Sequence, residues 1–474
     1  MVIFLELLSV AAVAAPPPAD APGSPSAAPA ESAAPASGSA PPSTPASAPV
    51  PAPSLAPATG RRVLSLADAE RNALANQPQI LQARAQTRAA YARADEAHSG
   101  LYPQVTATAN YARGTANFVQ RPGALPSNIP VRSRTSFDTF DSFNFGLNAT
   151  QLVYDFGQTT SSARAAKSSA EAQAESERTT RLSVLLAVRS AHALAWANAS
   201  LAEVSRRTLA NAERHVAQIE GLVRAGARPE IDLAQVRADR ANASLAVINA
   251  ENAYETAKAQ LNQAMGVEQD TNYDVSDERI PAVVGEDWDD ARLLDSAMTT
   301  RPELRTLAKQ VEANERQLSS VRGGYGPSLG VSASATEGGR DLTALTWNLS
   351  AGANLTWPLF QGGITNARVD EATANLDAAR SALSLERQQI RLEIVQAKLS
   401  LRAALAAVDA AREVEKNARE RLRLADARYQ AGAGSIIELE DAEVAEATAA
   451  GQVVQADYGL SLARAQLEKG LGRR

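Results

Sequence analysis

The chain has 474 residues, a net charge of −6 at pH 7, only 4% aromatic residues and no cysteine. The absence of cysteine excludes disulfides and thiol chemistry, and the acidic balance provides no electrostatic surface for nucleic acid. Alanine, leucine, arginine and glutamate dominate, a composition typical of long helices and coiled coils.

The first sixty residues do not have the composition of a folded domain. Residues 1–15 form a short apolar segment, which we interpret as a signal peptide although no basic residue precedes the apolar run. Residues 16–60 are almost entirely proline, alanine and serine, so we predict a disordered tether.

The rest of the chain contains one sequence unit twice. The tripeptide Ala-Gly-Ala recurs at 225–227 and 431–433, and Pro78 and Pro103 have counterparts in Pro302 and Pro327. We therefore predict a first repeat at 61–266 and a second at 291–474, giving an internal two-fold repeat. The acidic residues 267–290 between them are expected to form a solvated connector.

Each repeat shows the same order of elements. A helical pattern, interrupted near Pro78 in the first repeat, precedes two runs that alternate apolar and polar residues. A helical tract then covers 158–225 or 364–431, and at about 1.5 Å per residue each tract is about 100 Å long. A heptad seam in the second tract indicates close helix packing. Its positions are Ile390, Ile394, Ala397, Leu401, Ala404, Val408, Ala411, Ala418, Leu422, Ala425 and Tyr429.

The alternating runs have one apolar face and one polar face. Trp347 and Trp357 lie ten residues apart on the apolar face, a rise of about 25 Å for a tilted strand. This matches the apolar band of an outer-membrane barrel with an aromatic residue at each interface. A soluble sandwich with one buried face is the alternative, but two strand pairs framed by such long helices favour a membrane.

Four strands per chain cannot close a barrel, and the smallest transmembrane barrels have eight. The chain must therefore associate, and three copies would supply twelve strands. The long helices would then assemble side by side into a second tube.

Several motifs resemble those of the outer-membrane efflux protein family of TolC-like channels, in the family's order over about 400 residues. They include the turns Leu101-Tyr-Pro103 and Tyr325-Gly-Pro327 and the strand exits Tyr154-Asp-Phe-Gly157 and Phe360-Gln-Gly-Gly363. The segments RAGARPEIDLAQVRAD and YQAGAGSIIELEDAEV match as well, as do the closing AQLNQAMG and AQLEKGLG.

This resemblance implies a mostly α-helical chain with transmembrane β-strands. The expected assembly is a homotrimer with a twelve-stranded β-barrel in outer-membrane lipid of a Gram-negative bacterium, continuous with an α-helical barrel in the periplasm. It implies a passive exit duct of a tripartite efflux pump or a type I secretion system. The implied partners are a periplasmic adaptor (membrane fusion) protein and an inner-membrane transporter of RND, ABC or MFS type.

The resemblance also implies roles for residues at the two helix turns. Asp232, Tyr429, Glu438 and Asp441 fall at positions of the periplasmic gate and pore constriction, although a merely solvated helix face is the alternative. The turns that would dock the adaptor contain Gly226, Arg228, Gly432 and Gly434. Gly434 stands where the family carries an arginine, and Arg228 could substitute for it.

No catalytic, metal or cofactor site is expected, because the three histidines have no ligand spacing. Two other classes of protein are alternatives to the duct. A structural coiled-coil or adhesin-like surface protein would place its strands once, at the C-terminus. A soluble enzyme or binding protein would need convergent polar residues, which the sequence does not offer.

Overall fold

The computed structural model describes residues 62–115, 137, 139–268, 270–431 and 433–473. The signal peptide and tether expected at 1–15 and 16–60 lie outside the described residues, and so does Gly432. The described chain is mostly helical, and none of its helices is both long and apolar enough to cross a bilayer.

The two repeats contain matching elements. The first comprises β1 (Arg62–Leu64), α1 (Leu66–Asn76), α2 (Pro78–Ser99), β2 (Gln104–Thr115), β3 (Thr139–Tyr154), α3 (Gln158–Arg224) and α4 (Glu230–Met265). After β4 (Tyr273–Val275), the second comprises α5 (Asp290–Thr300), α6 (Pro302–Gly323), β5 (Ser328–Gly339), β6 (Thr346–Thr356), α7 (Ile364–Gln430) and α8 (Ile436–Gly470). The long helices α3 and α7 each have 67 residues.

Local sequence signals set the helix starts. The Ser65 hydroxyl accepts a hydrogen bond from the Asp68 amide at 3.1 Å, and the Asp289 carboxylate accepts one from the Arg292 amide at 3.3 Å. These caps satisfy amides that have no partner within the first turn of α1 and α5. Pro78 and Pro302 begin the next helices, so the break expected near Pro78 is confirmed.

The four long strands form one antiparallel sheet in the order β2-β3-β5-β6. The two strand pairs expected from the sequence are thus joined along β3 and β5. β1 and β4 form a separate parallel pair.

Each long helix packs in a core of its own repeat. The heptad seam of α7 is confirmed at Ile390, Ile394, Ala397, Leu401, Val408, Ala411 and Ala425, all buried. The two cores use matching positions: Val184 and Val188 lie in the first where Ile390 and Ile394 lie in the second.

The sequence predicts a solvated connector at 267–290, but the structure shows that parts of the connector are packed against the helices. Lys258, which is 1% exposed, donates from Nζ to the Thr271 carbonyl at 3.0 Å, and Lys398 donates to the Trp288 carbonyl at 2.9 Å. Ile280 is buried between these two anchor points. The acidic side chains suggested solvent exposure, but the connector's backbone carbonyls bind the two buried lysines.

We call α4 and α8 the return helices, because they follow the long helices α3 and α7. The C-terminal end of each return helix contacts the bend between the first two helices of its repeat, which we call the elbow. Gln77 donates from Nε2 to the Ala264 carbonyl at 2.8 Å, and Arg301 donates from Nε to the Gly470 carbonyl at 2.6 Å. Gly266 has φ of 70°, and a Cβ there would lie 2.6 Å from the Gln77 Cα. The close approach therefore requires glycine at this position.

We predict that Gly266→Ala lowers the apparent melting temperature of the protein in detergent, because the new methyl group overlaps backbone at a left-handed position. Gly221→Ala is the matched control, since Gly221 lies in α3 and a Cβ there would meet nothing within 4 Å. The control should be neutral or slightly stabilising. Equal melting temperatures for the two variants would contradict the argument.

Candidate functional site

The four-stranded sheet has an apolar row of side chains on one face and a polar row on the opposite face, each running across all four strands. Cross-strand neighbours on the apolar face are Ala107, Leu147, Ala335 and Leu349. One position along, neighbours on the other face are Thr106, Asn148, Ser334 and Ser350. The strand register therefore gives the sheet two chemically distinct surfaces, suited to lipid on one side and water on the other.

Aromatic side chains mark both ends of the apolar face. Trp347 is 76% exposed at one end, where Tyr111 and Phe143 also stack with ring centroids 5.0 Å apart. Trp357 is 59% exposed at the other end and donates from Nε1 to the Tyr325 carbonyl at 3.1 Å. Amphipathic rings with this placement are typical of the two interfaces of a bilayer.

At the opposite end of the long helices, each turn holds one acidic side chain against an arginine of the same turn. Arg228 Nη1 lies 3.3 Å from Asp232 Oδ2 between α3 and α4. Arg428 Nη1 lies 2.9 Å from Glu438 Oε1 between α7 and α8. Asp232 and Glu438 each lie in the first turn of a helix, where a negative charge also interacts favourably with the helix dipole.

Arg428 is a residue that the sequence analysis missed. Gly434 leaves no arginine at the family position, and a Cβ on Gly434 would come 3.1–3.2 Å from the backbone of Arg428 and Tyr429. The tight turn therefore brings Glu438, at the start of α8, back toward Arg428 at the end of α7. The signal available in the sequence was a basic residue in the last turn of one helix followed by an acid in the first turn of the next.

The other predicted gate residues differ in their surroundings. Tyr429 packs against a small cluster of Ala425, Leu439 and Ala442 at the turn. Asp441 is exposed and makes no hydrogen bond or ion pair within the part of the chain described. Gly226, with φ of 76°, and Arg228 lie in the first turn.

The three histidines lie on different helices or at different heights along one helix. His98 lies in the last turn of α2, His192 is buried in α3, and His215 lies at the contact between α3 and α8. Among the described residues, no group of three or more His, Asp and Glu side chains could hold a metal ion.

His215 links the two repeats through a titratable contact. Its Nε2 lies 3.0 Å from Glu443 Oε1. The hydrogen bond with Glu443 raises the pKa of His215 and outweighs burial, which lowers it; Glu440 raises it further and Arg214 lowers it. Burial raises the pKa of Glu440, with Asp239 of α4 as the next cause.

These shifts predict a contact that weakens as the pH rises. Because the folded pKa of His215 is raised, its contribution is fully present below about pH 6.5, the unfolded value, and is lost as the pH rises through the folded pKa. We predict that the apparent melting temperature falls less over this window in His215→Gln than in the native protein. His98→Gln, outside this contact, should keep the native profile. An unchanged profile in His215→Gln would refute the assignment.

The sequence model of the outer membrane efflux protein family matches residues 70–267 and 293–473. A search of curated proteins finds no match.

Several solved structures are similar over most of their length. The outer membrane channel CmeC of Campylobacter jejuni is 19% identical, with a TM-score of 0.75, over 86% of this chain and 85% of that one. The open-state MtrE outer membrane channel of Neisseria gonorrhoeae is 20% identical, with a TM-score of 0.70, over 86% and 89%. A membrane protein from Pseudomonas aeruginosa is 20% identical, with a TM-score of 0.73, over 86% and 90%. At these identities the likeness shows the fold.

Proposed function

Because the chain belongs to the outer membrane efflux protein family and is an efflux channel of the Gram-negative outer membrane, we propose that three copies form its conduit. A twelve-stranded β-barrel would continue into an α-helical barrel that crosses the periplasm. The main support for this proposal is the sheet. One of its faces is suited to lipid, and within the described chain β2 and β6 each have one edge without a partner strand.

The strand directions support closure. Since all neighbours in the sheet are antiparallel, β2 and β6 run in opposite directions. The β6 edge of one copy can therefore pair with the β2 edge of the next without breaking the antiparallel pattern. A closed ring satisfies every edge amide and carbonyl, which lipid cannot do.

The long helices support the same association. α7 exposes a row of large apolar side chains that nothing in the described chain covers. These are Leu385, Leu392, Val395 and Leu399. Burial of such side chains contributes about 25 cal/mol per Å² of apolar area, so a neighbouring copy would be stabilised there.

The turns at the far ends of α3 and α7 would face the periplasm. We propose that they dock a periplasmic adaptor protein, which joins the duct to an inner-membrane transporter of RND, ABC or MFS type. The strands form two internal pairs within one sheet, which leaves the adhesin-like alternative without support. The duct itself would be passive.

We place the gate at the same turns, with Asp232, Tyr429, Glu438 and Asp441 near the pore. Arg428 alters the expected electrostatics, because its contact with Glu438 offsets one of the two acidic charges per chain. Asp441 would then supply most of the attraction for cations at the constriction.

The trimer is tested by its mass and its response to heat. We expect native mass spectrometry in detergent to give three chains and SDS electrophoresis to show a heat-modifiable trimer, because four strands leave two edges to pair. A monomer that stays soluble without detergent would overturn the barrel.

The gate is tested by reversal potentials in planar bilayers under a salt gradient. Asp441→Ala and Glu438→Ala should lower cation selectivity, the latter by also exposing the charge of Arg428. Arg428→Ala should raise it by freeing Glu438. All three effects should shrink near 1 M salt, where the Debye length is about 3 Å.

Asp270→Asn, in the connector, is the control and should keep native selectivity. If Glu438→Ala and Arg428→Ala shift the reversal potential in the same direction, or not at all, the turn does not line the pore.

A further inference from the structure

The contact between the two repeats inside one chain is well defined along α3 and α6. Lys309 Nζ lies 2.8 Å from Glu171 Oε2 and 3.0 Å from Glu312 Oε2. Nearer the sheet, the hydroxyls of Ser161 and Ser319 lie 3.4 Å apart. We call this α3–α6 contact the intrachain junction.

Counterparts of both surfaces of this junction occur a second time on the same chain, where none of the described residues covers them. On the long helices, Ala172 and Leu185 of α3 are buried, but their repeat counterparts in α7, Ala378 and Arg391, are exposed. On the short helices, Ala313 and Ser320 of α6 are buried, but Ala89 and Glu96 of α2 are exposed. The chain thus presents two uncovered surfaces that match the two halves of its own internal contact.

An open groove on α7 supports this correspondence. In the first repeat, Leu185 is 3% exposed and lies beside Thr300 and Pro302, the elbow between α5 and α6. At the equivalent place in the second repeat, Arg391 lines an open groove of about 720 Å³, which runs between α7 and the α5–α6 segment of the same chain. The elbow between α1 and α2 of another copy is the equivalent segment that would cover it.

The uncovered surfaces of α7 and α2 carry complementary charges, but at different positions from those of the intrachain junction. The counterpart of Glu171 is Asp377, that of Lys309 is Ala85, and that of Glu312 is Arg88. In the intrachain junction one ammonium reaches both carboxylates, so positions 171 and 312 lie close together. A guanidinium at the second position would therefore lie near the carboxylate at the first.

Among the described residues of one chain, neither Arg88 nor Asp377 has a strong ion-pair partner. Arg88 is exposed and makes no ion pair with the residues described, and Asp377 is 3.7 Å from Arg380 Nη1. An exposed contact of that length contributes little to stability.

We propose that α7 of one copy packs against α2 of the next in the register of the intrachain junction, with Arg88 and Asp377 forming the ion pair between copies. The inference rests on the proposed trimer and specifies its helical interface. Ala367 then faces Asp95 of the neighbouring copy, because these are the counterparts of Ser161 and Ser319.

The absence of native cysteine allows a direct test by disulfide trapping in cell envelopes. The double variant Asp95→Cys/Ala367→Cys should give covalent dimers and trimers on mild oxidation, and either single variant should give neither. Ser161→Cys/Ser319→Cys is the matched control. It should form a disulfide within one chain and give no ladder, that is, no covalent dimers or trimers.

The outcomes separate this interface from the trimer itself. An intact trimer by native mass, with the control disulfide formed and no ladder from the double variant, would overturn this register and leave the trimer standing. Ladders from a single variant would also overturn it. A monomeric native protein would overturn both proposals.

Charge exchange tests the ion pair. Arg88→Glu or Asp377→Arg alone should lower the temperature at which the SDS-resistant trimer dissociates, and Arg88→Glu/Asp377→Arg together should restore it. Failure of the combined variant to recover would exclude this pairing even if the disulfide forms.

Discussion

The two open edges of a four-stranded sheet constrain everything else in this molecule. Each amide or carbonyl left unpaired in hydrocarbon costs several kcal/mol, and in the proposed barrel β2 and β6 avoid that cost by pairing with strands of other copies. The constraint reaches the periplasm because each hairpin continues directly into a long helix: only three residues separate Tyr154 from Gln158. Closing the strands into a ring therefore also arranges the helices around an axis.

In the proposed ring, the internal duplication allows contacts between copies to resemble the contact within one chain. The two repeats share helix lengths and core positions, so the chain already contains an example of how one unit meets the next. The chemistry at equivalent places has nevertheless diverged. Gln77 caps one return helix and Arg301 caps the other, yet both donate to carbonyls at the helix end. Geometry is kept where backbones approach closely, and side chains vary where only a donor is needed.

Much of this fold could be predicted from the sequence, because the strongest signals are local. The first long helix was expected at 158–225 and spans Gln158–Arg224, and the alternating runs placed all four long strands. The β1–β4 pair was missed because three residues show no period and their partners lie more than 200 residues away. The burial of Lys258 and Lys398 was missed since it depends on carbonyls contributed by the connector. At the turns, Arg428 reaches Glu438 only because of the chain path through Gly434.

The equal lengths of α3 and α7 have an evolutionary consequence. Both helices leave the same sheet and turn back after 67 residues, and their return helices have 36 and 35. A seven-residue insertion in one of them would push a single turn about 10 Å beyond its counterpart. The two turns would stay level only if α3, α4, α7 and α8 all lengthened together. In the proposed duct, the reach of the helical end is therefore set jointly by all four helices, and a change in one of them must be matched in the other three.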